Sequence, residues 1–133
     1  MSENANQLPL YETRGVVIPG RGVGKSIGIP TANLKIEDED RLPEPGVYIS
    51  RIFLAGQTLY GVTHIGARPT FDDSKEVSFE THILDFDRNI YGCEMQIQLF
   101  LKIRLPQKFD DVSSLLRQIK QDSLLAKEYW GLE

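Results

Sequence analysis

The stretch YGCEMQIQLFLKIRL, residues 91–105, carries the strongest secondary-structure signal in the chain. Apolar residues alternate in it with mostly polar ones: Met95, Ile97, Leu99, Leu101 and Ile103 against Gln96, Gln98, Phe100, Lys102 and Arg104. Successive side chains of a β-strand point to opposite faces, so a period of two over about ten residues is typical of a strand. The stretch therefore predicts a long strand with one buried face and one largely solvated face.

Segments before this strand have the composition of shorter strands divided by turns. The first is TRGVVIPG, which begins at Thr13. GVYISRIFL at 46–54 and QTLYGVTHI at 57–65 flank Ala55-Gly56, a natural hairpin tip. VSFETHILDF at 77–86 is separated from the long strand by the loop DRNI. Together these segments predict five or six short strands in about 95 residues.

A helix is predicted at the C-terminal end. Asp110 or Asp111 can cap its N-terminus, and Gly131 follows where the helix would end. Apolar residues fall near helical spacing between these positions: Val112, Leu115, Leu116, Ile119, Ala126 and Trp130. Charged and amide side chains lie between them, as expected for a helix with one face packed on a core.

The order of these elements indicates the fold class. Strands and helices do not alternate, which excludes a parallel Rossmann or P-loop sheet. Closure of short antiparallel strands into a barrel removes exposed strand edges. We therefore expect a mainly β protein, a small closed antiparallel barrel of Greek-key type with about six strands and a C-terminal α-helix.

The composition limits the class of function. Fifteen Lys and Arg against nineteen Asp and Glu give a formal net charge of −4, without the basic face that broad nucleic-acid binding needs. No apolar run approaches the length of about 20 residues that spans a bilayer, and the polar, acidic N-terminus is unlike a secretory signal. The single cysteine, Cys93, cannot form an internal disulfide. We therefore expect a cytoplasmic protein that binds neither nucleic acid nor a membrane.

A glycine-rich stretch, GRGVGKSIGIPTANL at residues 20–34, suggests phosphate binding. It is not a Walker loop, because Gly24-Lys25-Ser26 would require a glycine at position 19, which is Pro19. The G-x-G-x-x-G pattern of dinucleotide-binding loops also fails, since the positions of its third glycine hold Lys25 or Ile27. The stretch therefore matches neither loop.

The residue types of this stretch still suit an anion and a metal ion. Backbone N–H groups can approach an anion closely at four glycines, Gly20, Gly22, Gly24 and Gly28. Lys25 adds a positive charge. In an extended segment Thr31 and Asn33 lie on one face, where their oxygens suit Mg²⁺ shared with a phosphate. From composition alone, a flexible surface loop followed by an ordinary turn is the alternative.

Six motifs follow one another along the chain: GRGVGKSIGIPTANL at 20–34, PGVY at 45–48, IGARPTF at 65–71, FETHILDF at 79–86, IYG at 90–92 and RLPQKF at 104–109. In this order they resemble the riboflavin kinase family, over about residues 14–130. The resemblance implies transfer of the γ-phosphoryl group of ATP to the 5′-hydroxyl of riboflavin, giving FMN and ADP, with Mg²⁺ as the cofactor. The alternative function is a non-catalytic flavin- or ligand-binding β-barrel.

The resemblance also bears on domain organisation. In bacteria the family usually forms the C-terminal half of a bifunctional FAD synthetase. The chain is therefore either a standalone family member or a domain of a longer parent chain that also carries an adenylyltransferase domain. We divide this chain into an N-terminal tail or linker, residues 1–11, and a riboflavin kinase domain, residues 12–133.

The resemblance implies that Glu80, in FETHI, is the general base. A carboxylate among apolar strand residues is unusual unless it has a partner or a function. If the neighbours of Glu80 face the core, Glu80 and His82 point the other way. The alternative to a catalytic role is an ordinary solvent-exposed glutamate on a strand. His82 is a second candidate base and His64 a weaker one; neither has the spacing of a zinc ligand.

The remaining site residues come from the same resemblance. It implies ATP binding by the four glycines, Lys25, Thr31 and Asn33, with Thr31 and Asn33 also at the metal. It places the flavin beside Arg104, Lys108 and Phe109, at the start of the C-terminal helix. A hydrophobic staple at the helix start is the alternative role for Phe109.

Two departures from the family pattern affect these expectations. Val23 stands where bacterial members often carry another basic residue. Lys25 is therefore expected to neutralise a larger share of the negative charge of the phosphates. Arg104-Leu105-Pro106 stands where the family tends to have Arg-Pro-Glu, so a flavin contact by a glutamate is not expected there.

Overall fold

The structure is a computed structural model of the chain and describes residues 7–18, 31–35, 41–69 and 75–132, without the side chains of 67–69 and 75–77. Those ranges contain six strands and a helix: β1 Tyr11–Ile18, β2 Ala32–Leu34, β3 Gly46–Leu54, β4 Gln57–Pro69, β5 Lys75–Ile83, β6 Glu94–Arg104 and α1 Val112–Trp130. The predicted mainly β class with a C-terminal helix is confirmed. In the described part of the chain, no helix is both long and apolar enough to cross a membrane.

The described strands close into an antiparallel barrel in the order β1-β2-β5-β4-β3-β6, and β6 pairs back to β1. β3, β4 and β5 are consecutive neighbours, and β6 returns after a longer connection to lie beside β3. Three strands joined in sequence, with a fourth that returns beside the first of them, make the Greek-key order. The predicted closed barrel is therefore confirmed.

Apolar side chains pack on both faces of the barrel wall. The interior holds Ile52, Met95, Ile97 and Leu99, none of which has exposed surface. A second cluster forms outside the barrel, where α1 packs; it includes Val47, Ile49, Val62, Phe100, Ala126 and Trp130. One sector of the outer face of the barrel is therefore shielded from water. The cavity described below borders this sector.

The predicted β3–β4 hairpin is confirmed. Ala55 and Gly56 form its tip with φ angles of 50° and 80°. β4 continues beyond the predicted end at Ile65, to Pro69. β5 ends at Ile83 rather than at residue 86, because Asp85 adopts a left-handed φ of 54° that a strand does not tolerate.

The N-terminal strand begins at Tyr11, the last residue of the predicted tail. The N–H of Leu10 donates a 2.7 Å hydrogen bond to the carbonyl of Leu99, so pairing with β6 extends one residue further. The division between a tail at 1–11 and a domain at 12–133 stays a prediction, and residues 1–6 lie outside the described ranges.

β6 departs from the predicted alternation in its second half. Its first half alternates as expected, with Met95, Ile97 and Leu99 fully buried. Phe100, expected on the solvated face, is only 6% exposed, whereas Leu101, expected inside, is 45% exposed. The register with β3 shifts between Ile49 and Ser50, as at a β-bulge, and α1 covers the outer face at Phe100. The prediction of a solvated outer face is wrong here because the helix packs over it.

The helix begins and ends as predicted. Asp111 is the N-cap, and its carboxylate accepts a 2.7 Å hydrogen bond from the backbone N–H of Ser114. Gly131 ends the helix in the left-handed conformation, at φ 70°, and its N–H donates to the carbonyl of Glu128. Both ends therefore satisfy backbone groups that a helix leaves unpaired.

The buried face of α1 differs from the predicted apolar stripe. Its buried residues are Asp122, Ala126 and Trp130, all in the second half of the helix. Val112 and Leu116, expected in the core, are 47% and 41% exposed. Those two core predictions are wrong because α1 packs on the barrel mainly through its C-terminal half.

The helix cap predicts a pH-dependent stability. The hydrogen bond from the Ser114 N–H to Asp111 holds the pKa of that carboxyl below its ordinary value of 3.8. A pKa lowered by folding stabilises the protein above the unfolded-state pKa, and this contribution is lost as pH falls through the folded-state pKa. We expect Asp111→Ala to lower Tm at pH 7, with a deficit that shrinks below pH 3.8. Thermal melts of Asp110→Ala supply the control; a deficit constant with pH would contradict the prediction.

Candidate active site

A cavity of about 130 Å³ lies between α1 and the outer face of the barrel. It is lined by ten residues: Thr31, Val47, Val62, His64, Glu80, His82, Arg104, Ile119, Asp122 and Ser123. The titratable side chains among them come from β4, β5, β6 and α1, and apolar side chains from β3, β4 and α1 lie between them. A concave site that combines apolar walls with a few convergent polar groups is typical of small-molecule binding.

Glu80 lies in the middle of a row of side chains that crosses three strands. It is paired with Asn33 in β2 and with His64 in β4. Directly opposed residues of antiparallel strands have Cβ atoms about 4.5–5.5 Å apart, so these three side chains are neighbours. The row lies on the outer face of the barrel, where Glu80 and His64 line the cavity.

The orientation predicted for Glu80 is confirmed. The residues that alternate with it, Phe79, Thr81 and Ile83, are at most 4% exposed and face the barrel interior. Their burial directs Glu80 and His82 outward, where both line the cavity. Inside the barrel, the hydroxyl of Thr81 makes a 2.8 Å hydrogen bond with the hydroxyl of Thr63. Thr81 therefore does not need the Glu80 carboxylate as a hydrogen-bond partner.

Thr31 and Asn33 share the outer face with Glu80. They flank Ala32, whose side chain belongs to the barrel core. Asn33 is only 5% exposed, and its Nδ2 has no hydrogen-bond partner among the described residues. A buried amide N–H without an acceptor costs free energy, so the geometry beside Glu80 fits a ligand that carries acceptor oxygens.

An ion pair between β6 and α1, with a buried aspartate, forms part of the cavity wall. Arg104, at the end of β6, donates from Nε and Nη2 to the two carboxylate oxygens of Asp122 in α1, at 3.1 and 2.9 Å. Asp122 also accepts a 3.0 Å hydrogen bond from Nε2 of Gln118 and is only 3% exposed. The structure therefore fixes a guanidinium group at the cavity.

The predicted flavin residues are only partly brought together. The Phe109 ring lies with its centroid 6.0 Å from Cζ of Arg104, so these two are neighbours. Lys108 is exposed in the connection between β6 and α1. The predicted phosphate-binding residues, Gly20, Gly22, Gly24, Lys25 and Gly28, lie outside the described ranges.

Two polar cavity residues were missed by the sequence analysis, Asp122 and Ser123. The apolar spacing of the predicted helix is interrupted between Ile119 and Ala126, and these polar residues occupy the gap. An aspartate inside the apolar stripe of a helix is a signal, because a buried carboxylate needs partners. Its partner, Arg104, lies 18 residues away and is brought to it only by the fold.

Comparison with known proteins decides the family. Residues 9–130 match the model of the riboflavin kinase family. The chain belongs to that family. The bifunctional riboflavin kinase/FMN adenylyltransferase of Listeria monocytogenes is 41% identical over 123 residues. This match covers 90% of the chain and 39% of the relative, so the chain spans about two fifths of the bifunctional family member.

Two solved structures share the fold of this riboflavin kinase family member. A protein from Streptococcus pneumoniae described as a macrolide-efflux protein superposes with a TM-score of 0.81 and 36% identity, over 90% of this chain and 38% of that one. The riboflavin kinase of Trypanosoma brucei superposes with a TM-score of 0.62 and 20% identity, over 92% of this chain and 80% of that one. At that identity the trypanosomal likeness supports the barrel fold alone.

Proposed function

We propose that the chain is a riboflavin kinase domain that transfers the γ-phosphoryl group of ATP to the 5′-hydroxyl of riboflavin. The observation that carries the proposal is the convergence of Thr31, Glu80 and Arg104 on one cavity, with Asn33 directly beside Glu80. A carboxylate that accepts the hydroxyl proton and hard oxygen ligands for a metal ion are groups that this transfer requires, and Arg104 adds a fixed hydrogen-bond donor for the acceptor substrate. Family membership supports the same reaction.

In this proposal Glu80 is the general base. It accepts the proton of the 5′-hydroxyl while the hydroxyl oxygen forms its bond to the γ-phosphorus. The bond between that phosphorus and the bridging oxygen breaks, and ADP leaves with the electron pair. Glu80 is half-buried and projects outward into the cavity, which supports this role.

Thr31 and Asn33 fit a metal–nucleotide complex. The hydroxyl of Thr31 is a hard oxygen ligand suited to Mg²⁺, and the buried Nδ2 of Asn33 is a donor for a phosphate oxygen. Bound Mg²⁺ would neutralise charge on the transferring phosphates. We assign the remaining phosphate contacts to Lys25 and to backbone N–H groups at Gly20, Gly22, Gly24 and Gly28.

We place the flavin ring at the part of the cavity wall that holds Arg104. Arg104 supplies N–H donors for its polar edge, and Phe109 supplies an aromatic surface beside that guanidinium. Lys108, exposed on the same connection, is assigned to the outer part of the flavin site. The ribityl chain would then extend from Arg104 towards Glu80 across the cavity.

The parent protein and its location are part of the proposal. The bifunctional name of the Listeria relative supports an adenylyltransferase domain elsewhere in a longer chain, with residues 1–11 as the tail or linker and residues 12–133 as the kinase domain. We place the protein in the cytoplasm, where ATP is available and a single thiol, Cys93, stays reduced.

Incubation of the purified chain with riboflavin and Mg-ATP, followed by chromatography, tests the function. Formation of FMN and ADP in equal amounts is expected. Riboflavin that is bound but unchanged would instead support a non-catalytic flavin-binding barrel. The absence of both binding and turnover would overturn the kinase and the flavin-binding barrel alike.

The pair Thr31 and Asn33 gives a prediction about coupling. Each of Thr31→Val and Asn33→Ala is expected to lower kcat/KM by about 10–100-fold, by analogy with groups that support a metal site. If both act on one metal–nucleotide complex, the double variant loses much less than the sum of the two losses, because residues acting as a unit are non-additive. Thr58→Val, on an exposed part of β4 outside the cavity, is the control and should leave kcat/KM unchanged. Strict additivity of Thr31→Val and Asn33→Ala in steady-state kinetics would assign them separate roles.

A further inference from the structure

The Arg104–Asp122 pair is a costly way to hold a helix on a barrel. Asp122 is 3% exposed, and removal of two charges from water offsets much of their attraction. Apolar residues of similar volume often stabilise such a contact equally well. Helix α1 already has an apolar anchor on the barrel in Ala126 and Trp130. The ion pair at the cavity therefore suggests a purpose other than stability.

The hydrogen bonds of Arg104 show which part of its guanidinium is committed. Nε and Nη2 both donate to Asp122, and Nη1 donates to the carbonyl of Leu105 at 3.3 Å. A guanidinium has five N–H groups. Three are used in these contacts, so within the described residues one N–H on each terminal nitrogen has no acceptor.

The position of Asp122 determines where that second pair of donors points. Its carboxylate takes the edge formed by Nε and Nη2, and the end edge formed by Nη1 and Nη2 remains when the Leu105 carbonyl takes the Nη1 hydrogen that points away from Nη2. Two parallel N–H groups on one edge match two adjacent acceptors in one plane. The Arg104 side chain is 20% exposed and lines the cavity, so the guanidinium is within reach of a ligand there.

We propose that Asp122 is a positioning residue, which orients Arg104 so that its end edge recognises two adjacent in-plane acceptors of a planar heterocycle in the cavity. The inference rests on the proposed function, in which that heterocycle is the flavin ring. The pyrimidine part of a flavin carries such acceptors, a carbonyl oxygen beside a ring nitrogen. Gln118, which donates to the same Asp122 oxygen as Nε, holds the carboxylate from within the helix.

Steady-state kinetics of Asp122→Asn test the proposal. Asparagine keeps the size of the side chain and one acceptor but loses the charge that fixes the guanidinium. We expect the KM for riboflavin to rise about tenfold or more, whereas kcat and the KM for ATP change by less than about threefold. An unchanged riboflavin KM, or an equal rise in the KM for ATP, would overturn the inference.

A matched control separates positioning from loosened helix packing. Lys127 forms another ion pair of α1, 3.5 Å from Asp85 in the turn after β5 and outside the cavity. Lys127→Ala should leave both KM values unchanged; a selective rise in its riboflavin KM would show that helix docking alone is responsible. If Asp122→Asn does not fold, Gln118→Ala replaces it, with a smaller rise in the same KM expected and no rise overturning the inference.

The two proposals can fail separately. A wild-type chain that forms no FMN overturns the proposed function and the inference with it. A wild-type chain that forms FMN, together with an Asp122→Asn variant of unchanged riboflavin KM, overturns the inference alone. Quenching of riboflavin fluorescence in the presence of Mg-ADP gives the affinity without turnover, and weaker binding by Asp122→Asn would support the inference.

Discussion

Glu80→Gln is expected to lower kcat for riboflavin phosphorylation by about 10²–10⁴-fold, the usual effect of removing a general base. Glutamine keeps the shape of the side chain but cannot take the hydroxyl proton. Glu80 projects from β5 into the cavity, and the residues on either side of it are buried in the barrel interior. The substitution therefore removes a proton acceptor without disturbing the core, and we expect Tm and both KM values to change little.

Two further variants make this prediction specific. Glu94→Gln changes an exposed glutamate at the start of β6, outside the cavity, and should leave kcat unaltered. His82→Gln tests the second candidate base, because His82 lines the same cavity. A larger loss of kcat in His82→Gln than in Glu80→Gln would transfer the base role to His82. A near-normal kcat in Glu80→Gln would remove Glu80 from the mechanism.

Local sequence patterns predicted the elements whose determinants are local. Alternation in residues 95–99, the turn at Ala55-Gly56 and the caps Asp111 and Gly131 each depend on a few neighbouring residues, and all are present. The second half of β6 does not follow its pattern, because burial of Phe100 depends on a helix that packs on it from another part of the chain. The alternation of apolar and polar residues along a strand cannot by itself show which face of the strand a helix will cover.

The candidate site shows the same division. Alternation places Glu80 and His82 on one face, and it places Thr31 and Asn33 on one face. That these two pairs adjoin depends on β2, a strand of only three residues that pairs with β5. Such a short strand has no periodicity to recognise, so its neighbour could not be predicted from the residues alone.

Trp130→Ala is expected to reduce the free energy of unfolding by about 3–5 kcal/mol, a large part of the roughly 5–15 kcal/mol typical of a domain. Trp130 is the last residue of α1 and is 5% exposed. Its ring centroid lies 4.9 Å from those of Tyr60, Phe100 and Tyr129. Truncation of Trp130 leaves a cavity between these three aromatic rings, because the rings cannot all move to fill it.

Because Trp130 is the single tryptophan of the chain, urea unfolding of the variant has to be followed by circular dichroism. Leu124→Ala, on the same helix at a position 57% exposed, should change stability by no more than about 0.5 kcal/mol. A loss below about 1 kcal/mol in Trp130→Ala would show that Trp130 is not the main anchor of the helix.

Trp130→Phe separates packing from hydrogen bonding at this anchor. Nε1 of Trp130 is buried and has no hydrogen-bond partner among the described residues. Replacement by phenylalanine loses aromatic contact but also removes an unsatisfied donor, whose burial costs about 1–3 kcal/mol. We therefore expect Trp130→Phe to lose much less stability than Trp130→Ala.

The anchor also bears on the site, since Asp122 lies two turns before Trp130 on the same buried face. A helix freed at Trp130 no longer holds Asp122 against Arg104, so Trp130→Ala should raise the KM for riboflavin as well as lower stability.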